Sequence, residues 1–224
     1  MRPTVGTCNL AAALLWAICL SGCSEDAATK VTSSDQAVRL EGLQKLPAEN
    51  TQQSFSAAVQ AIQHDDAATA RAAVRTLGCM PQRGAVSALA KVIAEDRRPE
   101  IREEAALALS GCSPEKSSEV LREAVQKDVS PQVRAAAAIG LGRVGGLRDV
   151  EFLLHVCESD RDPLVQYQAV GALEKILGIG FTFDPGLSAD RRRVTVERVR
   201  VAATIRAKVL RDRAHTHREA GRTP

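Results

Sequence analysis

Aromatic residues are scarce in this sequence: Phe, Trp and Tyr together make up 3% of the residues, although apolar residues as a whole make up 45%. The core must therefore be filled with aliphatic side chains. Ala, Val and Leu dominate, Ala occurs in runs, and the alternation of apolar and polar residues that is typical of strands is rare, which favours closely packed helices. We predict an all-α fold.

Clustered metal ligands and catalytic motifs are also lacking. Of the four His residues, only His215 and His217 lie close together, and no His-Glu pair or His-x-x-x-His spacing occurs. A metal site needs such clustering. Residues 140–145 match the glycine pattern of dinucleotide sites, but they follow an Ala-rich helix instead of a strand, so these glycines end a helix. We therefore predict no catalytic residue, no metal site and no cofactor.

No apolar run is long enough to cross a bilayer. The longest run, residues 10–20, follows Arg2 and is typical of a secretory signal. A Leu-Ser-Gly-Cys motif at 20–23 resembles the lipobox of bacterial lipoproteins, in which an apolar residue and two small residues precede an obligatory Cys. The resemblance implies that residues 1–22 are a cleaved signal peptide and that Cys23 carries lipid. The alternative is an ordinary secretory signal or an uncleaved anchor.

A lipid-bearing Cys23 would hold the chain at a membrane durably, because two or more acyl chains give stable anchoring. Ser24 stands where an Asp usually retains such lipoproteins in the inner membrane, so the resemblance implies the outer membrane, with the chain facing the periplasm. The residues from Ser24 to Ser34 are polar and show no apolar periodicity. We therefore predict that residues 23–34 form a lipidated, flexible tether.

An internal repeat is the strongest structural signal in the sequence. Four segments align without gaps at a step of 32 residues and share three mostly apolar columns. Neighbouring columns are four residues apart, which places them on one stripe of a helix. A second amphipathic set lies between these segments, so each unit is predicted to be a pair of helices. The columns are Thr69/Ile101/Val133/Val165, Ala73/Ala105/Ala137/Ala169 and Leu77/Leu109/Leu141/Leu173.

Residues 133–145 resemble the HEAT-like repeats of bacteria, whose second helix reads Val-Arg-x-x-Ala-Ala-x-Ala-Leu-Gly-x-x-Gly. The resemblance implies a right-handed α-solenoid over residues 35–177 that binds a protein partner. In this family an Asp six residues before the Arg contributes to a ladder of hydrogen bonds between repeats, here Asp96 with Arg102 and Asp128 with Arg134. Such repeats also occur in bilin lyases, so an enzyme of that type is the alternative. Those lyases act in the cytosol, and the predicted export signal argues against this alternative.

The sequence changes character after the repeats. Residues 178–188 are rich in Gly and Pro and contain Phe181 and Phe183, so they are predicted to form a capping loop. Residues 189–212 are predicted to form a basic helix that docks on the last repeat, with 213–224 as a disordered tail. The helix would dock through Val194, Val201, Ile205 and Val209. Apolar and polar residues alternate around Val194 and Val201, so a strand is the alternative.

The charge is divided unevenly. From residue 189 to 224 there are eleven Lys or Arg and four Asp or Glu, a net charge of +7, whereas residues 23–188 have eighteen against twenty-three, a net charge of −5. A basic segment is able to bind nucleic acid, but export and the lack of interleaved aromatic residues argue against it. Contact with anionic lipid headgroups is the alternative to a solvated charged helix.

A candidate binding face follows from the geometry of the second helices, because the core stripe determines which rows face away from it. Those rows contain Arg71, Arg75, Leu107, Ile139 and Tyr167. Neighbouring exposed apolar residues on a concave face are typical of a site for an unidentified protein partner. We therefore predict a non-catalytic scaffold at the cell envelope, with a purely structural envelope component as a further alternative.

Three cysteines remain once the signal peptide and Cys23 are set aside. Cys157 falls in a core column and is predicted to be a buried, inert thiol. Cys79 and Cys112 lie near the ends of second helices in adjacent units. Stacked helices are 8–10 Å apart and a disulfide needs Cα atoms within about 7 Å, so a bridge would require the loops to relax.

Overall fold

The computed structural model describes residues 26–80, 84–182, 186 and 188–220. Its regular structure within these ranges consists of α-helices and short 3₁₀ turns with no strand, which confirms the all-α prediction. The predicted signal peptide and Cys23 lie outside the described residues. The helices are α1 (Ala27–Val31), α2 (Gln36–Glu49), α3 (Gln52–Ala61), α4 (Ala67–Cys79), α5 (Ala85–Glu95), α6 (Pro99–Ala108), α7 (Pro114–Lys127), α8 (Pro131–Val144), α9 (Val150–Ser159), α10 (Pro163–Leu177) and α11 (Ala189–Ala220).

The helix starts follow from capping chemistry. The carboxylate of Asp35 accepts a hydrogen bond from the Ala37 amide at the start of α2, and Asp162 does the same for α10. Proline occupies the first position of α6, α8 and α10, where its missing N–H has no intrahelical acceptor to bind. The helices therefore begin where the sequence places caps and prolines.

The helices form five pairs, α1/α2 to α9/α10, stacked into a solenoid. All twelve residues in the three repeat columns are buried with no exposed surface. Second helices contact one another along the whole stack from α2 to α10, whereas contacts between consecutive first helices are few. A stack that is packed more closely along one side curves toward that side, so the second helices line its inner face.

The predicted tether is wrong for residues 26–34, because part of it folds onto the first repeat as α1. Ala27, Ala28 and Val31 are buried against α2. Gly42 permits this contact, since a Cβ at that position would lie 2.8 Å from the carbonyl oxygen of Ala27. The short helix is the first helix of the first pair, and its three small or branched residues were too few to show a period.

The C-terminal helix is present, but its predicted docking stripe is wrong. The residues of the predicted stripe are exposed: Val194 by 55%, Val201 by 53%, Ile205 by 61% and Val209 by 37%. The helix packs instead through Val196, Val199, Ala203 and Ala207. Arg206 fixes this rotation by donating from Nε to the carbonyl oxygen of Leu177, at 3.1 Å, where α10 ends. The residues of the buried stripe are small, so α11 lies close to α9 and α10.

The helix also continues further than predicted. Its last residue is Ala220, so the start of the predicted disordered tail, residues 213–224, is helical instead, and residues 221–224 lie outside the described chain. Because the segment is helical, the strand alternative is also wrong. No helix within the described ranges is long and apolar enough to cross a bilayer.

The segment after α10 covers part of the end of the stack. Gly178 adopts a left-handed conformation with φ of 66°, which ends the helix. The backbone N–H of Phe181 donates to Oε1 of Glu174 at 2.6 Å, and Phe181 packs, half-buried, against the core. Phe183 lies outside the described residues. Within the predicted capping loop, residues 178–188, Phe181 therefore contacts the core.

Candidate functional site

The five predicted binding residues lie on four consecutive second helices. Arg71 and Arg75 are on α4, Leu107 is on α6, Ile139 is on α8 and Tyr167 is on α10. We call this surface the second-helix face. The structure groups them into a basic cluster on α4 and a groove of mixed polar and apolar lining between α8 and α10, with Leu107 separate from both.

Glu104 joins the two arginines of the basic cluster, and sequence reasoning missed it. Nε of Arg75 lies 2.7 Å from Oε1 of Glu104, and Nε of Arg71 lies 3.3 Å from Oε2. The Glu104 side chain is 12% exposed, whereas those of Arg71 and Arg75 are 47% and 61% exposed. One carboxylate therefore neutralises one of two guanidinium groups, and the cluster keeps a net positive charge at the surface. The 32-residue step aligns Glu104 with Ala72, which lies between Arg71 and Arg75 in the sequence. This alignment was the signal in the sequence from which the contact could have been predicted.

The groove has a volume of about 490 Å³ and lies between α8, α10 and the segment after α10. Tyr167 is 47% exposed, Ile139 is half-buried, and a Cβ added at Gly171 would meet no atom within 4 Å. The groove therefore has an open stretch at Gly171 that a ligand side chain can enter. Its lining includes Ile139, Tyr167, Gln168, Gly171, Lys175 and Phe181.

Leu107 was predicted to be an exposed binding residue, but the structure covers part of it. Leu107 is half-buried and packs against the core. Ala135, one helical turn before Ile139 on α8, is 3% exposed, because α8 is contacted by α6, α7 and α10 at once. Helix periodicity alone could not anticipate how far the neighbouring helices cover each row.

The predicted ladder connects consecutive repeats through arginine and aspartate. Nε and Nη2 of Arg102 each donate to the Asp128 carboxylate at 2.8 Å, and Arg134 binds Asp160 in the same way at 2.9 Å. Nη1 of Arg102 donates to the backbone carbonyl of Asp96, and Arg134 likewise binds that of Asp128. Each guanidinium therefore bridges its own repeat and the next one.

The ladder continues beyond the four predicted residues. Arg39 binds the carbonyl of Ser33 at 2.9 Å and lies 3.4 Å from the carboxylate of Asp66. At the other end Gln166 replaces the arginine and donates from Nε2 to the carbonyl of Asp160 at 2.9 Å. The Arg39 rung was missed because Arg39 lies one residue away from the position that the 32-residue step relates to Arg102 and Arg134.

Burial and charge oppose each other at the ladder carboxylates. Burial, the largest single cause, raises the pKa of Asp128 and Asp160, but the bound arginine and a backbone N–H two residues further on together lower it by more. The net pKa of both therefore lies below the ordinary value. These groups are ionised at neutral pH. Burial raises the pKa of Cys157 to about 12, so this thiol stays protonated.

The described part of the chain offers shape, apolar contact and positive charge for binding. No three His, Cys, Asp or Glu side chains within it are grouped so that they could hold a metal ion. The second-helix face combines a groove with partly exposed apolar side chains and two exposed arginines, so we take it as the candidate site.

Solved structures with the same architecture were found. The complex of CpcE and CpcF of phycocyanin lyase from Nostoc sp. PCC7120 matches with a TM-score of 0.51 and 21% identity, over 67% of this chain and 63% of that chain. An engineered protein matches with a TM-score of 0.49 and 20% identity, over 82% of this chain and 95% of its own. A designed armadillo repeat protein matches with a TM-score of 0.44 and 16% identity, over 77% and 86%. At such identities the likeness concerns the fold alone.

The family comparison is more direct. No curated protein matches the sequence. The family model for HEAT repeats matches it twice, at residues 25–110 and 86–174, which together include all five helix pairs apart from the last residues of α10. The chain therefore belongs to the HEAT-repeat family.

Proposed function

We propose that the chain is a non-catalytic scaffold that binds a protein partner on the second-helix face. The observation that carries this proposal is the groove in which the half-exposed Tyr167 lies beside Ile139 and the open position Gly171. Aromatic side chains that line a partly apolar depression are typical anchors of protein interfaces. The basic cluster of Arg71 and Arg75 extends the same face.

The separation of the two features limits the shape of the ligand. Adjacent packed helices are about 8–10 Å apart, so two to three helix steps place the basic cluster roughly 20–30 Å from the groove. An extended peptide covers that distance with about 6–9 residues. We infer that the partner contributes an extended segment with a carboxylate toward one end and an apolar side chain toward the other.

Site-specific photo-crosslinking in intact cells tests this proposal. A photoreactive residue placed at Tyr167 is expected to capture a discrete partner, and one placed at Val129, which is 87% exposed at a loop outside the face, is the matched control. Charge reversal of Arg71 and Arg75 to Glu should weaken capture at Tyr167. If neither position captures a partner, the chain is better described as a purely structural envelope component.

The scaffold is proposed to be anchored to the outer membrane through lipid on Cys23. The start of α1 at Ala27 supports a close anchor, since three residues separate it from Cys23 and four extended residue steps span about 14 Å. Radiolabelled fatty acid should label the chain but not a Cys23→Ser variant. Equal labelling of both would contradict the anchor.

The basic helix α11 is proposed to lie on anionic lipid headgroups. Support comes from the aliphatic residues exposed along it, Val194, Val201 and Ile205, and from Arg198 and Lys208, which are also exposed. An in-plane helix combines such apolar contact with about 1 kcal/mol per basic residue near an anionic surface.

Vesicle binding tests the proposed contact of α11. Unacylated protein should float with phosphatidylglycerol vesicles and not with phosphatidylcholine vesicles, and a variant with Val201→Ser and Ile205→Ser should float several-fold less. Val129→Ser is the control, because it removes an even more exposed aliphatic residue away from α11. Equal flotation with both lipids, or no effect of the double substitution, would contradict the proposed contact between α11 and anionic headgroups.

A further inference from the structure

Two cysteines on adjacent repeats lie where the chain makes an unusually close backbone contact. Cys79 is the last residue of α4, and Cys112 follows the 3₁₀ turn Leu109–Gly111 at the end of α6. Both are free thiols, Cys79 exposed and Cys112 half-buried. The normal distance between packed helices would keep the two sulfur atoms too far apart to bond. Whether they can bond therefore depends on how closely the two backbones approach at this point.

The contact is made by the glycines that directly precede the two cysteines. A Cβ on Gly111 would lie 2.5 Å from the carbonyl oxygen of Gly78, and a Cβ on Gly78 would lie 2.8 Å from the carbonyl oxygen of Ala108. Any larger residue would push the two segments apart. The backbones of the two repeats therefore touch one residue before each thiol, closer than the usual separation of stacked helices.

The sulfur of Cys112 is directed into the same junction. Its Sγ lies 3.9 Å from the carbonyl oxygen of Ala108, the oxygen against which Gly78 packs. Burial raises the pKa of Cys112, and negative charge on Cys79 raises it further, which is an interaction through space between the two thiols. Cys157 is unlike both, because it is buried in a core column of the first helices.

We propose that Cys79 and Cys112 form a disulfide that staples the second repeat to the third. The site would react with low-molecular-weight disulfides or with a protein disulfide donor. It lies at one end of the seam between α4 and α6, and the cluster of Arg71, Arg75 and Glu104 spans the same seam. The bridge therefore fixes the spacing of two helices that form the second-helix face.

The reaction has two exchange steps that balance. The exposed thiolate of Cys79 attacks one sulfur of the oxidant and releases the first reduced thiol, forming a mixed disulfide. That step removes the negative charge from Cys79, so Cys112 loses its proton to water more readily. The Cys112 thiolate then attacks the Cys79 sulfur and releases the second thiol. Two protein thiols are oxidised to one disulfide, and one disulfide is reduced to two thiols.

The test treats the purified full chain with oxidised glutathione in mildly alkaline buffer and maps its thiols by alkylation and mass spectrometry. Cys79 and Cys112 fall in separate tryptic peptides, residues 76–83 and 103–116, so a bridge joins two identifiable peptides. We expect the bridged pair, with Cys157 alkylated only after unfolding. In a Cys112→Ser variant, Cys79 should stop at the glutathione mixed disulfide.

Three results would overturn the proposal. Wild-type chain that also stops at the mixed disulfide would show that Cys112 does not reach Cys79. Bridges between Cys79 residues of two chains, or no change in either thiol, would exclude the staple as well. The melting temperatures of the bridged and the reduced chain distinguish a stabilising disulfide from a strained one. The bridged chain should melt about 5–10 °C above the reduced chain. A lower melting temperature would contradict a stabilising role.

Discussion

Arg98 binds the carboxylate of Asp96 from within the same loop, with Nε 3.0 Å from Oδ1 and Nη2 2.9 Å from Oδ2. At the equivalent place in the next two repeats, the Asp is bound by an Arg from the preceding second helix. The matching position of α4 holds Ala70. Arg98 also donates to the carbonyl of His64 at 2.9 Å, the group six residues before position 70. It therefore supplies the guanidinium that α4 lacks, and the ladder stays continuous.

Removing Arg98 should destabilise the junction between the second and third repeats. Arg98→Ala removes the guanidinium donor of the nearly buried Asp96, which keeps only the bond from the backbone N–H of residue 98, and of the carbonyls of Ile62 and His64. We expect this loss to cost about 1–3 kcal/mol in the free energy of unfolding. Urea unfolding measures this value. Arg97→Ala is the matched control, since the Arg97 side chain is exposed and should have little effect.

Restoring the arginine in its usual place provides a sharper test. In a variant with Arg98→Ala and Ala70→Arg, the new guanidinium should reach Asp96 from α4, as Arg102 reaches Asp128. Much of the lost stability should return. A double variant less stable than Arg98→Ala would show that the two positions do not share one site.

Acid should weaken the ladder. The pKa values of Asp96, Asp128 and Asp160 are lowered in the folded chain, so the unfolded chain binds protons more tightly than the folded one. Their contribution to stability is complete above the ordinary value of 3.8 and is lost as the pH falls below it. The free energy of unfolding, measured from neutral pH downward, should drop steeply in that range, and less steeply for Asp128→Asn. Equal slopes would contradict the assignment.

Two helical glycines should respond oppositely to alanine. A Cβ on Gly142 would lie 2.8 Å from the backbone Cα of Ala172, so Gly142→Ala should force α8 and α10 apart and cost about 1–3 kcal/mol. Gly171 has open space, so Gly171→Ala should stabilise α10 by about 0.5–1 kcal/mol through helix propensity. Thermal unfolding of the two variants checks both signs.

The sequence was sufficient to predict the helix pairs, because a regular 32-residue step places the same core residue in every unit. It could not predict α1, whose five residues are too short to show a period and depend on the gap at Gly42. The rotation of α11 was missed for a related reason. Large aliphatic residues marked one stripe, but Ala203, Ala207 and the bond from Arg206 to the end of α10 favour the opposite one.

The candidate site was predictable in position more than in detail. Helix geometry placed Ile139 and Tyr167 on one face of neighbouring helices, and the groove lies between them. The period within one helix contains no information on how far the neighbouring repeats cover a side chain, so the partial burial of Leu107 required the structure. The pairing of both arginines with Glu104 was indicated by the 32-residue step, but the distances required the structure.

The affinity of the crosslinked partner for two variants at one position tests the central claim most directly. Gly171→Leu fills the groove, whereas Gly171→Ala adds a single methyl group in open space. Binding measured by calorimetry should fall at least about tenfold for Gly171→Leu, a loss of about 1.4 kcal/mol, and remain near wild type for Gly171→Ala. Unchanged affinity of the Gly171→Leu variant would contradict binding in the groove.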